Sequence, residues 1–172
     1  MQYKDLLRGT VLLVAIEATG LAAIAAVTIN STGDDELAAL SLGWWLVAIV
    51  AGIWLGRPSR TAEVLRGPLA AAKTSTQLPA ESSVRIALAR LWPIALFAIV
   101  AGAVGPFLPQ VPAIATGFAL GVATSWRNRE GAVTAVEERD GICFYVEHGS
   151  AFDPIKLIRT PGLRHGGAAH SG

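Results

Sequence analysis

Charged residues are scarce in this chain of 172 residues. Asp, Glu, Lys and Arg make up 16% of it, whereas a soluble domain of this length carries roughly 25%. The formal net charge is only +1, which is too small for the basic surface that binds a nucleic-acid backbone. We therefore expect no nucleic-acid partner.

Cysteine is almost absent, and so are catalytic motifs. The one cysteine, Cys143, excludes an intramolecular disulfide, so the fold does not depend on an oxidising compartment. The motifs of phosphate-binding loops, zinc proteases and serine hydrolases do not occur. His148, His165 and His170 lack metal-ligand spacing with Cys143. We therefore expect no catalytic residue, no metal and no cofactor.

Hydrophobic residues, by contrast, make up 52% of the chain and are concentrated in four blocks. A helix needs roughly 20 apolar residues to cross a hydrocarbon core about 30 Å thick. The blocks also lack the polar face that a helix of a soluble bundle would show. The sequence therefore predicts an all-α polytopic membrane protein with transmembrane helices over residues 10–30, 37–56, 86–105 and 109–126.

The positive side chains predict the orientation of these helices. None of the fourteen Lys and Arg residues lies in the segments 30–36 and 105–110, which connect the first two and the last two blocks. Cytoplasmic loops are the ones enriched in Lys and Arg. We therefore predict a multi-pass protein of the cytoplasmic membrane, with both termini and the central loop 57–85 on the cytoplasmic side.

Small residues at steps of four predict how the helices pack. In lipid, helices associate through the close approach of their backbones, and small side chains permit it. Residues four apart share one face of a helix. We predict helix contacts, within one bundle or in a homo-oligomer, at Gly52 and Gly56, at Gly117 and Gly121, and at Ala15, Thr19 and Ala23.

Two charged residues fall inside the predicted spans, Glu17 in the first and Arg90 in the third. A charge at mid-membrane costs about 2.5–3.5 kcal/mol to insert and usually finds a partner. Glu17 would lie about 10 Å, and Arg90 roughly 6–8 Å, inside the cytoplasmic end of its helix. The similar depths predict an ion pair. The alternatives are an Arg90 that reaches the headgroups and a protonated Glu17 that hydrogen-bonds within the bundle.

The central loop 57–85 follows the second span and ends in a Ser/Thr/Pro-rich stretch. Gly67-Pro68 predicts a break in any helix there, because proline removes a backbone hydrogen bond. We favour an irregular loop over a helix that lies on the membrane surface. The first 130 residues would then form the transmembrane domain.

The tail contains the strongest turn signal. Asp140-Gly141 stands between two runs that favour strands, which predicts a cytoplasmic β-hairpin within residues 131–160. An isolated hairpin is marginally stable, so it must dock on the helix ends, on a second copy or on a partner. The polar, Gly-rich residues 161–172 are predicted to be disordered.

The whole chain resembles the uncharacterised small four-span membrane proteins of high-GC Gram-positive bacteria. The tail sequences AVEERDGICFYVE and PIKLIRTPG are the most similar part. This resemblance implies a bacterial membrane protein, and it implies no activity, cofactor or site residue.

Three classes of function follow from these features. We expect a non-enzymatic accessory or interaction subunit that is surrounded by membrane lipid and docks a protein partner through its tail. The alternative is a small oligomeric transporter or channel that uses Glu17 in a polar pathway. An enzyme of membrane lipid comes third, because the carboxylates after the fourth span form no recognisable constellation.

Overall fold

The structure is a computed structural model that describes residues 1–74, 82–147 and 149–161. Most of the chain is helical, and three short strands form one sheet. The elements are α1 (Tyr3–Thr32), α2 (Asp35–Leu55), α3 (Pro58–Ala70), β1 (Lys73–Thr74), α4 (Ser83–Val104), α5 (Gln110–Trp126), α6 (Arg129–Asp140), β2 (Ile142–Val146) and β3 (Leu157–Pro161).

Each of the four apolar blocks is a helix, and α1, α2 and α4 are long and apolar enough to cross a membrane. The prediction of a mostly helical chain with several helices able to cross a membrane is therefore confirmed. The fourth block, α5, has 17 residues and rises about 25 Å, which is less than the roughly 30 Å of a hydrocarbon core. Helix length alone therefore does not establish a fourth crossing.

Local chemistry determines where the long helices begin and end. Gly33 closes α1 in the left-handed conformation at φ 65°, and its N–H donates to the Ile29 carbonyl at 3.1 Å. Asp34 then caps α2 by accepting from the Leu37 N–H at 2.8 Å. Ser82 accepts from the Arg85 N–H in the same way and starts α4.

The helix α5 packs most extensively against α2 and α1. The four glycines that were predicted to pack lie in the α2–α5 contact. A Cβ atom at Gly56 would lie 2.7 Å from the Ser125 carbonyl oxygen, and one at Gly52 would lie 2.6 Å from that of Gly121. The Trp44 indole lies against Gly117. Only glycine permits these backbones to come so close.

The first helix uses a different face from the one predicted. Ala15, Thr19 and Ala23 are exposed, so they make no packing stripe within the bundle, and their alternative role in a homo-oligomer stays a prediction. The buried stripe of α1 follows a different set of residues at steps of three and four, because α5 and α4 meet α1 on that side. Its members are Val14, Ala18, Leu21, Ala25 and Ile29.

A buried cluster joins the helix ends on one side of the bundle. It takes residues from the starts of α1 and α4, from α3 and α6, which follow α2 and α5, and from the sheet. We call α3, α6 and the three strands the head. The cluster consists of Tyr3, Leu6, Leu7, Leu65, Ala72, Ile86, Val133, Phe144, Val146 and Leu157. The tail therefore docks on the helix ends, which was the first of its three predicted alternatives.

The sheet has the strand order β1-β3-β2, with β1 parallel to β3 and β2 antiparallel to it. Its antiparallel register pairs Ile142 with Pro161 and Val146 with Leu157. The Val146 N–H also donates to the Met1 carbonyl at 3.0 Å, so the start of the chain extends the sheet.

The predicted hairpin turn at Asp140-Gly141 is wrong, because the residues before it form α6. Gly141 has φ 64° and ends that helix, and its N–H donates to the Glu137 carbonyl. A left-handed glycine ends helices as well as turning hairpins, and Val133 gives α6 a buried side. The strand partner of β2 is β3 instead. The predicted disorder covers residues 161–172; Pro161 instead ends β3, and residues 162–172 lie outside the described residues.

The central loop also departs from the prediction. Pro58–Ala70 form the continuous helix α3 through Gly67 and Pro68. Pro68 lies in the last turn, where it costs one backbone hydrogen bond, and the burial of Leu65 in the head stabilises the helix. The Ser/Thr/Pro-rich stretch at 75–81 lies outside the described residues.

We expect Gly52→Leu to lower the stability of the bundle by about 1–3 kcal/mol or more, because its side chain would displace α5. Gly43→Leu is the matched control, since a Cβ at Gly43 meets nothing within 4 Å. Thermal unfolding of the detergent-solubilised protein measures both variants. Equal midpoints for the two variants would contradict the α2–α5 contact.

Candidate functional site

A groove of about 370 Å³ lies in the head between α3, α6 and the sheet. We call it the head groove. Its floor is apolar and its rim carries three arginines, one each from α3, α6 and β3. The floor includes Leu65, Leu69, Val136, Ile142 and Phe144, and the rim carries Arg66, Arg139 and Arg159.

The head groove is electropositive. Arg139 donates to both carboxyl oxygens of Asp140, at 2.7 and 3.1 Å. The hydrogen bond from Arg139 lowers the pKa of Asp140, which therefore stays ionised. Arg159 donates from Nε to the Thr74 hydroxyl at 2.8 Å. Arg66 forms no ion pair with a carboxylate in the described part of the chain. Among the described residues that line the groove, three guanidinium groups thus face one carboxylate.

The buried carboxylate of Glu137 contacts the backbone of a residue in the floor of the head groove. Glu137 on α6 is 6% exposed, accepts from the Phe144 N–H at 2.9 Å and lies 3.4 Å from Lys4 Nζ. It therefore connects α1, α6 and β2 in one place. Phe144 belongs to the floor of the groove, so Glu137 positions that floor.

The predicted Glu17–Arg90 ion pair is not formed. Arg90 Nη1 instead donates to the Asp153 carbonyl at 3.2 Å, in the loop between β2 and β3. A Cβ atom at Gly149 would lie 2.8 Å from Arg90 Nη2, so this loop runs close over the guanidinium. Arg90 is 9% exposed and is covered by the head.

Glu17 and Arg90 do not pair because they lie at different positions along the helix axes. The start of α4 belongs to the head cluster, as the 1% exposure of Ile86 indicates. Glu17 lines a cleft of about 180 Å³ together with Ile94 and Phe97 of α4. These lie one to two turns beyond Arg90, which is about 6–10 Å along the helix. Helix length and residue spacing do not show how much of α4 the head covers.

Glu17 is left among apolar side chains. Apart from Glu17 itself, the residues that line its cleft are all Val, Leu, Ile, Phe or Ala of α1, α4 and α5. The Oε1 atom of Glu17 is buried and has no hydrogen-bond partner in the described residues. A buried polar atom without a partner is uncommon and calls for an explanation.

Sequence reasoning missed the arginines of the head groove. In the sequence, Arg66, Arg139 and Arg159 indicate only the orientation of the helices in the membrane, because they lie too far apart to predict a common site. The signal that was present is the spacing of Leu65 and Leu69 on one face of α3. The predicted helix break at Gly67-Pro68 conceals this signal.

Comparison with protein-family models, with curated proteins and with solved structures gave no match. Within residues 1–74, 82–147 and 149–161, no group of three or more His, Cys, Asp or Glu side chains is arranged to hold a metal. His148, His165 and His170 fall outside those ranges. The proposed function therefore depends on the geometry of this chain.

We expect Glu137→Ala to destabilise the head by about 1–3 kcal/mol, because the buried Phe144 N–H loses its acceptor. Hydrogen exchange of the Phe144 amide and the rate of proteolysis of the tail should both rise. Glu138→Ala is the control, since the neighbouring side chain is exposed. The same protection in both variants would contradict a structural role for Glu137.

Proposed function

We propose that this chain is a non-enzymatic accessory subunit of the cytoplasmic membrane whose head binds a segment of a protein partner. The head groove is the observation that carries the proposal. Its apolar floor suits aliphatic or aromatic anchors, and its three arginines suit Asp and Glu side chains at the rim. The partner segment is therefore acidic and amphipathic.

The proposal includes four membrane crossings with both termini cytoplasmic. The arrangement of the head supports this topology, because one end of each of α1, α2, α4 and α5 meets it. The fourteen Lys and Arg residues avoid the segments at the opposite end. The short α5 packs between its neighbours, which together cover part of its length.

The alternative of a transporter or channel has less support. A pathway for an ion needs polar groups that face one another along its length. Of the residues that the structure describes in the lining of this cleft, Glu17 is the one polar residue. A homo-oligomeric pore would have to supply the other polar groups from a second copy.

Cysteine labelling tests the topology in a Cys143→Ser background. An impermeant maleimide applied to intact cells should label Ser31→Cys and Phe107→Cys, which lie at the end opposite the head. It should not label Ser59→Cys or Arg127→Cys until the cells are permeabilised. Labelling of either of the last two positions in intact cells would contradict a cytoplasmic head.

Charge reversal tests the head groove. We expect Arg66→Glu and Arg159→Glu each to reduce the amount of partner that co-purifies in mild detergent by about tenfold or more, because juxtaposed like charges cost several kcal/mol. Arg85→Glu makes the same change at an exposed residue outside the groove. The proposal fails if all three variants retain the same partners, or if all three lose them equally.

A further inference from the structure

The cleft around Glu17 is a second surface, separate from the head groove. It lies between α1, α4 and α5, with Glu17 of α1 in its lining. Phe97 of α4 and Phe118 of α5 line the same cleft and are 60% and 59% exposed. The cleft therefore reaches the outside of the bundle between these two rings, where hydrocarbon or another helix would meet it.

Within the described ranges, no polar side chain or backbone group partners the carboxyl group of Glu17. Glu17 Oε1 is buried without a hydrogen bond in the described residues. No hydroxyl residue is among the described residues that line the cleft, and the hydroxyls of Thr19 on α1 and Thr116 on α5 donate to backbone carbonyls of their own helices. Arg90 donates to the head loop. An intramembrane acid that lines an open cleft without a partner points to a group from another chain.

We propose that this cleft binds a transmembrane helix of a different protein, one that carries a single Lys or Arg at the level of Glu17. The occupant is a helix because a chain in hydrocarbon must satisfy its own backbone hydrogen bonds. Its side chain is basic because the unpartnered group is a carboxyl. The exposed Phe97 and Phe118 would pack along the sides of such a helix.

A second copy of this chain does not meet that requirement. No Lys or Arg lies in residues 9–56 or 91–126. The cations of a second copy in the same orientation would therefore lie at the head end, below the level of Glu17. The occupant is thus a different chain, and this inference deepens the proposed accessory role by naming the chemistry of an intramembrane partner.

The test uses the full-length protein in phosphatidylcholine vesicles with synthetic helices of Leu and Ala. One peptide has a central Lys, and the matched peptide has Leu at that position. Energy transfer from a donor dye on Phe107→Cys in the Cys143→Ser background to a dye on the peptide measures association. We expect the Lys peptide to bind about tenfold more tightly than the Leu peptide.

Variants separate this inference from the head groove. In Glu17→Gln, which keeps the size of the side chain and removes its charge, the preference for the Lys peptide should disappear. In Arg66→Glu it should remain. If Arg66→Glu does not change the co-purifying partners, the preference for the Lys peptide can still be observed. If the Lys peptide shows no preference, the co-purification test of the head groove is likewise unaffected.

Three outcomes would overturn the inference. The first is equal binding of the Lys and Leu peptides to the unmodified protein, which needs no variant to fold. The second is a preference for Lys that persists in Glu17→Gln. The third is a dimer of the protein without peptide that Glu17→Gln dissociates, because the carboxyl would then serve a contact between copies.

Discussion

The buried cluster that joins the head to the helix ends determines how far along the helix axes the charged residues of this protein lie from the head. Leu6 of α1, Ile86 of α4 and Phe144 of β2 belong to it, so three parts of the chain that are distant in sequence share one core. Glu137 lies inside this region and satisfies both Lys4 and the Phe144 N–H. Loss of this packing would free the first turns of α1 and α4 from the head. Both candidate surfaces depend on it.

The level set by the head explains the different surroundings of the two charges. The head loop covers Arg90, and its Asp153 carbonyl accepts from Nη1, while the buried Nε has no hydrogen-bond partner among the described residues. Glu17 lies beyond the reach of the head and stays among aliphatic and aromatic side chains. A charge placed in such surroundings is costly to keep. That cost is the physical reason to look for its partner in another chain.

The two surfaces complement each other in chemistry. The head groove presents cations around an apolar floor, whereas the cleft of Glu17 presents one acid between two phenylalanines. A single partner with a basic transmembrane helix and an acidic segment beside it would satisfy both. Two binding events on one partner reinforce each other through effective concentration. Each surface could then be weak alone and the assembly still be specific.

The helices and some of their ends follow from local sequence. Long apolar blocks and the residues Gly33, Asp34 and Ser82 at the helix ends act within a few turns. Steps of four also place the glycines of α2 and those of α5 on one face of each helix, but long-range packing decides that these two faces meet. The head could not be predicted in this way. Asp140-Gly141 suits a helix end as well as a hairpin, and burial of Val133 in a core from distant segments decides between them. The same core separates Glu17 from Arg90 and gathers three arginines around one groove, because long-range packing sets their distances and sequence spacing does not.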